Sequence, residues 1–429
     1  MKTLHRGPCG PDLAAVIAEG VVIFAHPIDH PTTADMLKRH VNRRRALALL
    51  TKARAPSAPA RVRGAAVKLR SVGCALALCA GSASAQNWDF SEATTLMQQA
   101  LSSVPLTGAT LVVMKDDVPI YSEYFGNHQA STREPIASAS KWLSAATIAA
   151  LIDAGQMRMD DTVGMYFPGV PADKAAITLR QLFSHTSGLR AQSACLGDGG
   201  STLAACAAQL LAEPLLRAPG SCFNYGGNSM QIAGRMAELA TGLSWDQIFI
   251  ARTATPLGLI QTDYAMFSTQ PGYVLSSNPR IAGGARSSAI DLARLAQMLA
   301  QNGRLGATVV LQPATVAAMF ADQTGRANYA SNPEPSSFGH GLGTWRNRVD
   351  WTDRAREVSS PGAFGTWPWV DYDAGIGAVL FVRNTLANVR PTVRNLTPAL
   401  RRAVLFNDPI ISANFEFTPP PPQAGCALR

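Results

Sequence analysis

The sequence predicts an α/β (α+β) domain: one antiparallel sheet built from both chain ends, flanked by helices, with an inserted, mostly helical lobe. Two observations carry that expectation. Strand patterns cluster near the two ends of residues 86–410, and the stretch between them reads almost entirely as helix.

Trp88 to Leu101 sets Phe90, Met97 and Leu101 on one helical face. Leu111 to Met114, the polar Lys115-Asp116-Asp117, and Ile120 to Phe125 then read as a β-hairpin. A helix opens at Ser138, continues through the apolar run Trp142 to Ile152, and ends near Gly155. Within 156–330 helices are expected at Leu179 to Phe183, Met230 to Leu239, Trp245 to Ile250, Ile290 to Ala300 and Ala314 to Phe320. Strands return at Gly341 to Trp345, Thr366 to Tyr372 and Ile376 to Val382, before a last helix from Thr392 to Leu405. Residues 411–429 read as a tail containing Pro419 to Pro422.

A formal net charge of +9 suggests nucleic acid until its location is read. Residues 1–85 hold 13 lysines and arginines against 4 acids, while the remaining 25 basic and 25 acidic side chains balance. The globular part is neutral, which excludes a nucleic-acid partner on charge grounds. The basic front end has its own explanation in residues 61–85. Arg61, Arg63, Lys68 and Arg70 precede the apolar run Val72 to Ala80, and the small residues Ala83-Ser84-Ala85 follow. That order describes a secretory signal peptide cleaved after Ala85. The run is too short for a permanent membrane span, and Leu78 before Cys79 is not the small residue of a lipid-anchoring signal. Residues 1–60 are either a genuine N-terminal extension or the product of a start codon set too far upstream, and the second fits an internal leader better. A periplasmic or secreted protein is expected. Cys195, Cys206, Cys222 and Cys426 remain after cleavage, and an even count in an exported chain permits disulfides. Cys195 with Cys222, in loops flanking a helical stretch, is the preferred pair. Neither the cysteines nor His128, His185 and His340 have zinc-ligand spacing, so no metal is expected.

Ser138-Ala139-Ser140-Lys141 carries the chemistry. Positions three apart share a helix face, so the lysine amine lies beside the Ser138 hydroxyl. Serine near pH 7 is a poor nucleophile and needs an adjacent base. A desolvated lysine, its pKa lowered by burial, is one. The helix N-terminus favours negative charge developing on the serine oxygen. Ser-x-x-Lys is a weak signal by itself.

Further blocks follow at a set spacing: Met159 to Val163, Ile177 to Leu189 with His185-Thr186-Ser187-Gly188-Leu189, Pro219 to Tyr225, and Gly283 to Ser288. Together, over about residues 90–385, they resemble the serine β-lactamase-like hydrolases, meaning class C β-lactamases, DD-peptidases and related esterases. The resemblance implies that Ser138 attacks a carbonyl to form an acyl-enzyme and that Lys141 takes its proton. It further implies that Tyr225 shares proton transfer and protonates the leaving group, with a nearby cation lowering the phenol pKa. The N–H groups of Ser138 and Ala363 are the expected oxyanion hole.

Two departures from the family pattern stand out. The family's Tyr-x-Asn reads Tyr225-Gly226-Gly227, so the substrate-facing amide is missing at Gly227, with Asn228 or Gln231 as stand-ins. The family's Lys-Thr-Gly or His-x-Gly box reads Ser360-Pro361-Gly362, and its cation is gone. Ser360 and Gly362 are still expected at the substrate, and Trp367 and Trp369 either wall the acyl pocket or pack in the core. His185 is not expected to act as a base, since no Gly-x-Ser-x-Gly elbow occurs. The resulting expectation is a serine hydrolase acting on a small-molecule ester, without cofactor. The alternatives are an amide or peptide hydrolase (β-lactamase, D-amino-acid peptidase or small-peptide hydrolase), or a catalytically silent penicillin-recognising module.

Overall fold

A computed structural model of the chain describes residues 88–406 except Arg326 and Pro335. All of them belong to the unit Ala83–Arg429. The expected leader, extension and tail lie outside the described residues.

The sheet joins strands from both ends of the domain. β1 (Gly108–Lys115) and β2 (Val118–Gly126) come from its N-terminal side. β3 (Trp345–Val349), β4 (Ala355–Ser359), β5 (Trp367–Asp371) and β6 (Ile376–Val382) come from its C-terminal side. Their order is β2-β1-β6-β5-β4-β3, with every neighbouring pair antiparallel. The seam is β1 against β6, running from Ala109 opposite Val382 to Lys115 opposite Ile376. Asp116 and Asp117 close the β1–β2 hairpin at φ 50° and 70°. Two left-handed residues make the turn whose twist matches the flanking strands.

Alternation along the strands separates two cores. Ala109, Leu111 and Val113 of β1, with Ile376, Ala378, Leu380 and Val382 of β6, face one of them. That core is closed by α1 (Ser91–Ser103) and by the C-terminal helix Leu386–Leu405, whose Val389, Val393, Leu396, Leu400 and Val404 recur at helical spacing. Val112, Met114, Val379 and Phe381 face the other core, shared with the helical lobe. There α2 (Ser140–Asp153) is buried on all sides from Ser140 to Leu151, which explains its uninterrupted apolar sequence. The lobe includes α3 (Leu203–Ala212) and α4 (Asn228–Thr241), and α5 (Ala289–Ala300) packs on the sheet; the C-terminal helix is α6. No helix among the described residues is long and apolar enough to cross a membrane.

Three expectations need correction, and one strand is new. The strand expected at Gly341 to Trp345 begins at Trp345, because Gly343 (φ 67°) turns the chain just before it. β4 is unforeseen: its Arg356 and Glu357 pair with Asp373 and Arg401, so ion pairs replace the apolar alternation that marks a strand. α6 starts at Leu386 rather than Thr392 and runs through Pro391 and Pro398, held by its buried apolar stripe. Cys195 is bonded to Cys206, not to Cys222: Cys195 sits on the turn Ala194–Gly197 against α3, which carries Cys206. Cys222 lies on the short strand Cys222–Asn224, paired with residues 328–331.

Candidate active site

The turn that presents Ser138 is built by its neighbours. The short strand Glu134–Pro135 pairs with Arg286–Ser287, and the chain then bends through Ala137 at φ 44° into a 3-10 turn and α2. A left-handed alanine is strained. The bend is fixed by Ser140, whose hydroxyl donates to the Ala137 carbonyl at 2.6 Å and accepts the Ala285 N–H at 3.0 Å. The second serine of Ser-x-x-Lys is therefore an anchor, and Ser138 is left half-buried at the mouth of the helix.

Lys141 is 2% exposed. Its Nζ lies 3.2 Å from Ser138 Oγ, 3.0 Å from the Ala282 carbonyl oxygen and 4.4 Å from the centre of the Tyr225 ring. Burial, then the positive charge of Arg280, brings its pKa down from 10.5 to about 7. Near neutral pH a large share of the amine is unprotonated and within reach of the Ser138 proton.

Tyr225 is half-buried in a box of rings. His185 stands 4.8 Å away and Trp345 5.1 Å away, with His340 between them at 5.1 Å from His185 and 4.6 Å from Trp345. Burial holds the phenol above its ordinary value, with the nearby Ser138 side chain offsetting part of that effect. The expected lowering by a cation is reversed. A lysine that titrates near 7 is already neutral where a phenol would ionise, so Tyr225 stays a proton donor. The histidines are fully buried. Burial first, then neighbouring charge, lowers His185 well below the usual imidazole range and His340 to about 3. Among the described residues neither ring nitrogen of His185 has a hydrogen-bond partner, and the ring serves as a wall of the box.

The 360–363 segment docks on the Ser138 turn. A Cβ on Gly362 would stand 2.1 Å from the Ile136 carbonyl oxygen, so only glycine permits this approach. The segment is braced by Gly362 N–H to Thr366 O at 2.8 Å. The next N–H, that of exposed Ala363, donates to no acceptor among the described residues, whereas its neighbours Gly362 and Gly365 both do. Ser360, expected at the substrate, turns its hydroxyl to the Ser138 and Gly343 carbonyl oxygens, 3.3 Å from each. Trp367 and Trp369 lie on the opposite sheet face, in the core beneath α1 and α6, and are not pocket walls.

Gly227 precedes α4, its N–H bonded to Ala191 O at 2.7 Å. The expected stand-ins for the absent amide have other partners. Gln231 bonds to Asn278, Pro279 and Ile281, and Asn228 donates to Ser193 Oγ at 2.8 Å. An amide that sequence reading missed lies close by: exposed Gln192, whose Oε1 is 3.1 Å from where a Gly227 Cβ would be, beside Leu196 Cδ1 at 2.8 Å. Neither Arg346 nor Arg286 supplies the missing cation beside Ser360. Arg346 is held by Phe338 O and Asp353. Arg286 is bound to Asp263 and lines, with Arg133 and Arg383, a separate cavity of about 630 Å³ that none of Ser138, Lys141 and Tyr225 reaches. Among the described residues no group of acids, histidines and cysteines could hold a metal ion.

The family model for beta-lactamases matches residues 94–400. Penicillin-binding protein 4 of Amycolatopsis lactamdurans is 34% identical over 134 residues, 29% of this chain, and the chain spans only 34% of that relative's length. The solved structure of a Bacteroides dorei DSM 17855 protein assigned as a beta-lactamase is 30% identical, covering 72% of this chain and 100% of that one, with a TM-score of 0.64. A family VIII carboxylesterase shares the fold at 18% identity and a TM-score of 0.60, over 73% of this chain and 97% of that one. With a matching family model over most of its length, an antiparallel sheet built from both ends and a helical lobe between them, the chain belongs to the beta-lactamase family of serine hydrolases.

Proposed function

We propose that the protein hydrolyses carboxylic esters through an acyl-enzyme on Ser138. The observation that carries this reading is the buried Lys141 amine, 3.2 Å from Ser138 Oγ and brought to about 7. Ser138 Oγ attacks the ester carbonyl as its proton passes to Lys141 Nζ. The carbonyl oxygen, now an oxyanion, is received by the N–H groups of Ser138 and Ala363. When the intermediate collapses, the alcohol oxygen takes a proton from the Tyr225 hydroxyl, and Lys141 returns its proton to the phenol. Water then attacks the acyl-Ser138 ester, with Lys141 again as base, and releases the carboxylic acid.

Esters are favoured over β-lactams because Ser360 stands where the family pattern has a cation, and its hydroxyl faces backbone carbonyls. An alkoxide leaving group also needs less protonation than an amine. A second reading, amide hydrolysis, draws support from the Gln192 amide beside Gly227. The two are separated by kcat/KM on a short-chain p-nitrophenyl ester and on a chromogenic cephalosporin. A missing charge-assisted hydrogen bond corresponds to about 1.5–3 kcal/mol, so the ester is expected to lead by one order of magnitude or more from this term alone. A cephalosporin that wins overturns the esterase assignment. Export to an oxidising compartment belongs to the same proposal and is supported by the Cys195–Cys206 disulfide. N-terminal sequencing of the secreted protein should begin at Gln86, and a start upstream of residue 60 would contradict it.

A further inference from the structure

We propose that Arg280 determines substrate specificity by binding a carboxylate carried on the acyl chain of the ester. The inference rests on the ester-hydrolase reading and narrows it to a substrate class: half-esters of dicarboxylic acids.

Arg280 is placed with care by its surroundings. Gln231, fully buried, donates to Pro279 O at 3.0 Å and accepts the Ile281 N–H at 3.1 Å, gripping the backbone on both sides of it. The N–H groups of Gly283 and Gly284 both donate to Arg280 O, at 2.9 and 2.6 Å. This hook needs glycine at 284, where a Cβ would come within 2.9 Å of the Arg280 backbone. At Gly283 the missing side chain leaves an open spot. A Cβ there would lie 3.7 Å from the Ala137 carbonyl carbon and 3.9 Å from Arg280 Nε. Arg280 Nε and the peptide bond that leads into Ser138 thus both border that spot. The same segment supplies Ala282 O, the acceptor for Lys141 Nζ.

The charge of Arg280 is unmatched. Asp263 holds Arg133 and Arg286, Glu334 holds Arg390, and Asp371 and Glu357 hold Arg401. Arg280 is half-buried, yet its side chain makes no hydrogen bond or ion pair among the described residues. A guanidinium partly removed from water and left without a carboxylate is suited to take one from a ligand, in a two-pronged contact. The acyl side is the fitting one. Lys141 Nζ touches both the Tyr225 ring and Ala282 O. With the leaving oxygen at Tyr225, the acyl chain is the part left to face 280–283.

The test compares mono-p-nitrophenyl glutarate with p-nitrophenyl pentanoate, which share chain length and leaving group and differ in the terminal carboxylate. The ratio of their kcat/KM values cancels any effect of Arg280 on Lys141. Arg280→Gln is expected to lower the glutarate-to-pentanoate ratio about ten- to a hundredfold, and Arg280→Lys to lower it less. An unchanged ratio overturns the inference. Calorimetric binding of monomethyl glutarate to Ser138→Ala protein, with and without Arg280→Gln, decides the matter independently of turnover. About tenfold weaker binding without the arginine supports the inference, and equal binding refutes it. Failure to turn over either p-nitrophenyl ester would count against the ester-hydrolase reading alone.

Discussion

Replacing Lys141 by methionine should abolish hydrolysis and, near neutral pH, stabilise the fold. The stem fits, because methionine is unbranched and similar in length. The gain comes from charge. In the unfolded chain lysine holds its proton up to 10.5, but in the native protein burial and Arg280 release it at about 7. Between those values the unfolded state binds more protons, so wild-type stability rises with pH across this window and is independent of Lys141 below it. At pH 7 the lysine therefore disfavours folding by about 4 kcal/mol, and by about 1 kcal/mol at pH 9.5. Methionine removes that term but leaves Ala282 O without its donor, which costs about 1–3 kcal/mol at either pH. The variant should thus exceed wild type by roughly 1–3 kcal/mol at pH 7 and lose about 3 kcal/mol of that advantage by pH 9.5. Urea unfolding of both proteins at the two pH values measures the double difference, in which every other titrating group cancels. A stability difference that stays constant with pH would refute a buried, proton-shedding Lys141.

Tyr225→Phe should lower ester turnover by roughly two to four orders of magnitude in a steady-state assay, because the ring box survives and only the proton donor is lost. Ala137→Gly should raise stability by up to about 1 kcal/mol in thermal or urea unfolding, since glycine accepts φ 44° without the alanine penalty but adds chain entropy. Replacing Cys195 and Cys206 together by alanine should destabilise by about 2–3 kcal/mol, the order for a loop of 11 residues, and unfolding in the presence and absence of reductant checks it.

The sheet seam was readable because β1 and β6 alternate or run apolar, and α2 because its apolar run has no break. β3 and β4 were not, since their arginines and glutamate satisfy each other through Asp371, Asp373 and Arg401, a pattern that hydrophobic periodicity cannot register. The start of α6 was not legible, because Pro391 disfavours helix locally and the buried stripe against the sheet face holds it. In the site, Ser138, Lys141 and Tyr225 stand together as their motifs implied. Trp367 stayed open between pocket and core because a strand carries side chains to both faces, and only the register decides which. Gln192 and Arg280 left no trace in the sequence: each sits in an irregular loop, and its position comes from contacts made by residues far along the chain.

The rate at which a fluorophosphonate labels Ser138, followed as a mass shift on that peptide across pH 5 to 9, bears most directly on the serine–lysine pairing. Attack on phosphorus with loss of fluoride requires the same activated hydroxyl as attack on an ester, without any need for leaving-group protonation. Labelling is expected at Ser138 alone, with a rate that climbs about tenfold per pH unit and levels off near pH 7, where Lys141 becomes neutral. Label on another residue, or a rate at Ser138 that does not change across pH 7, would contradict it.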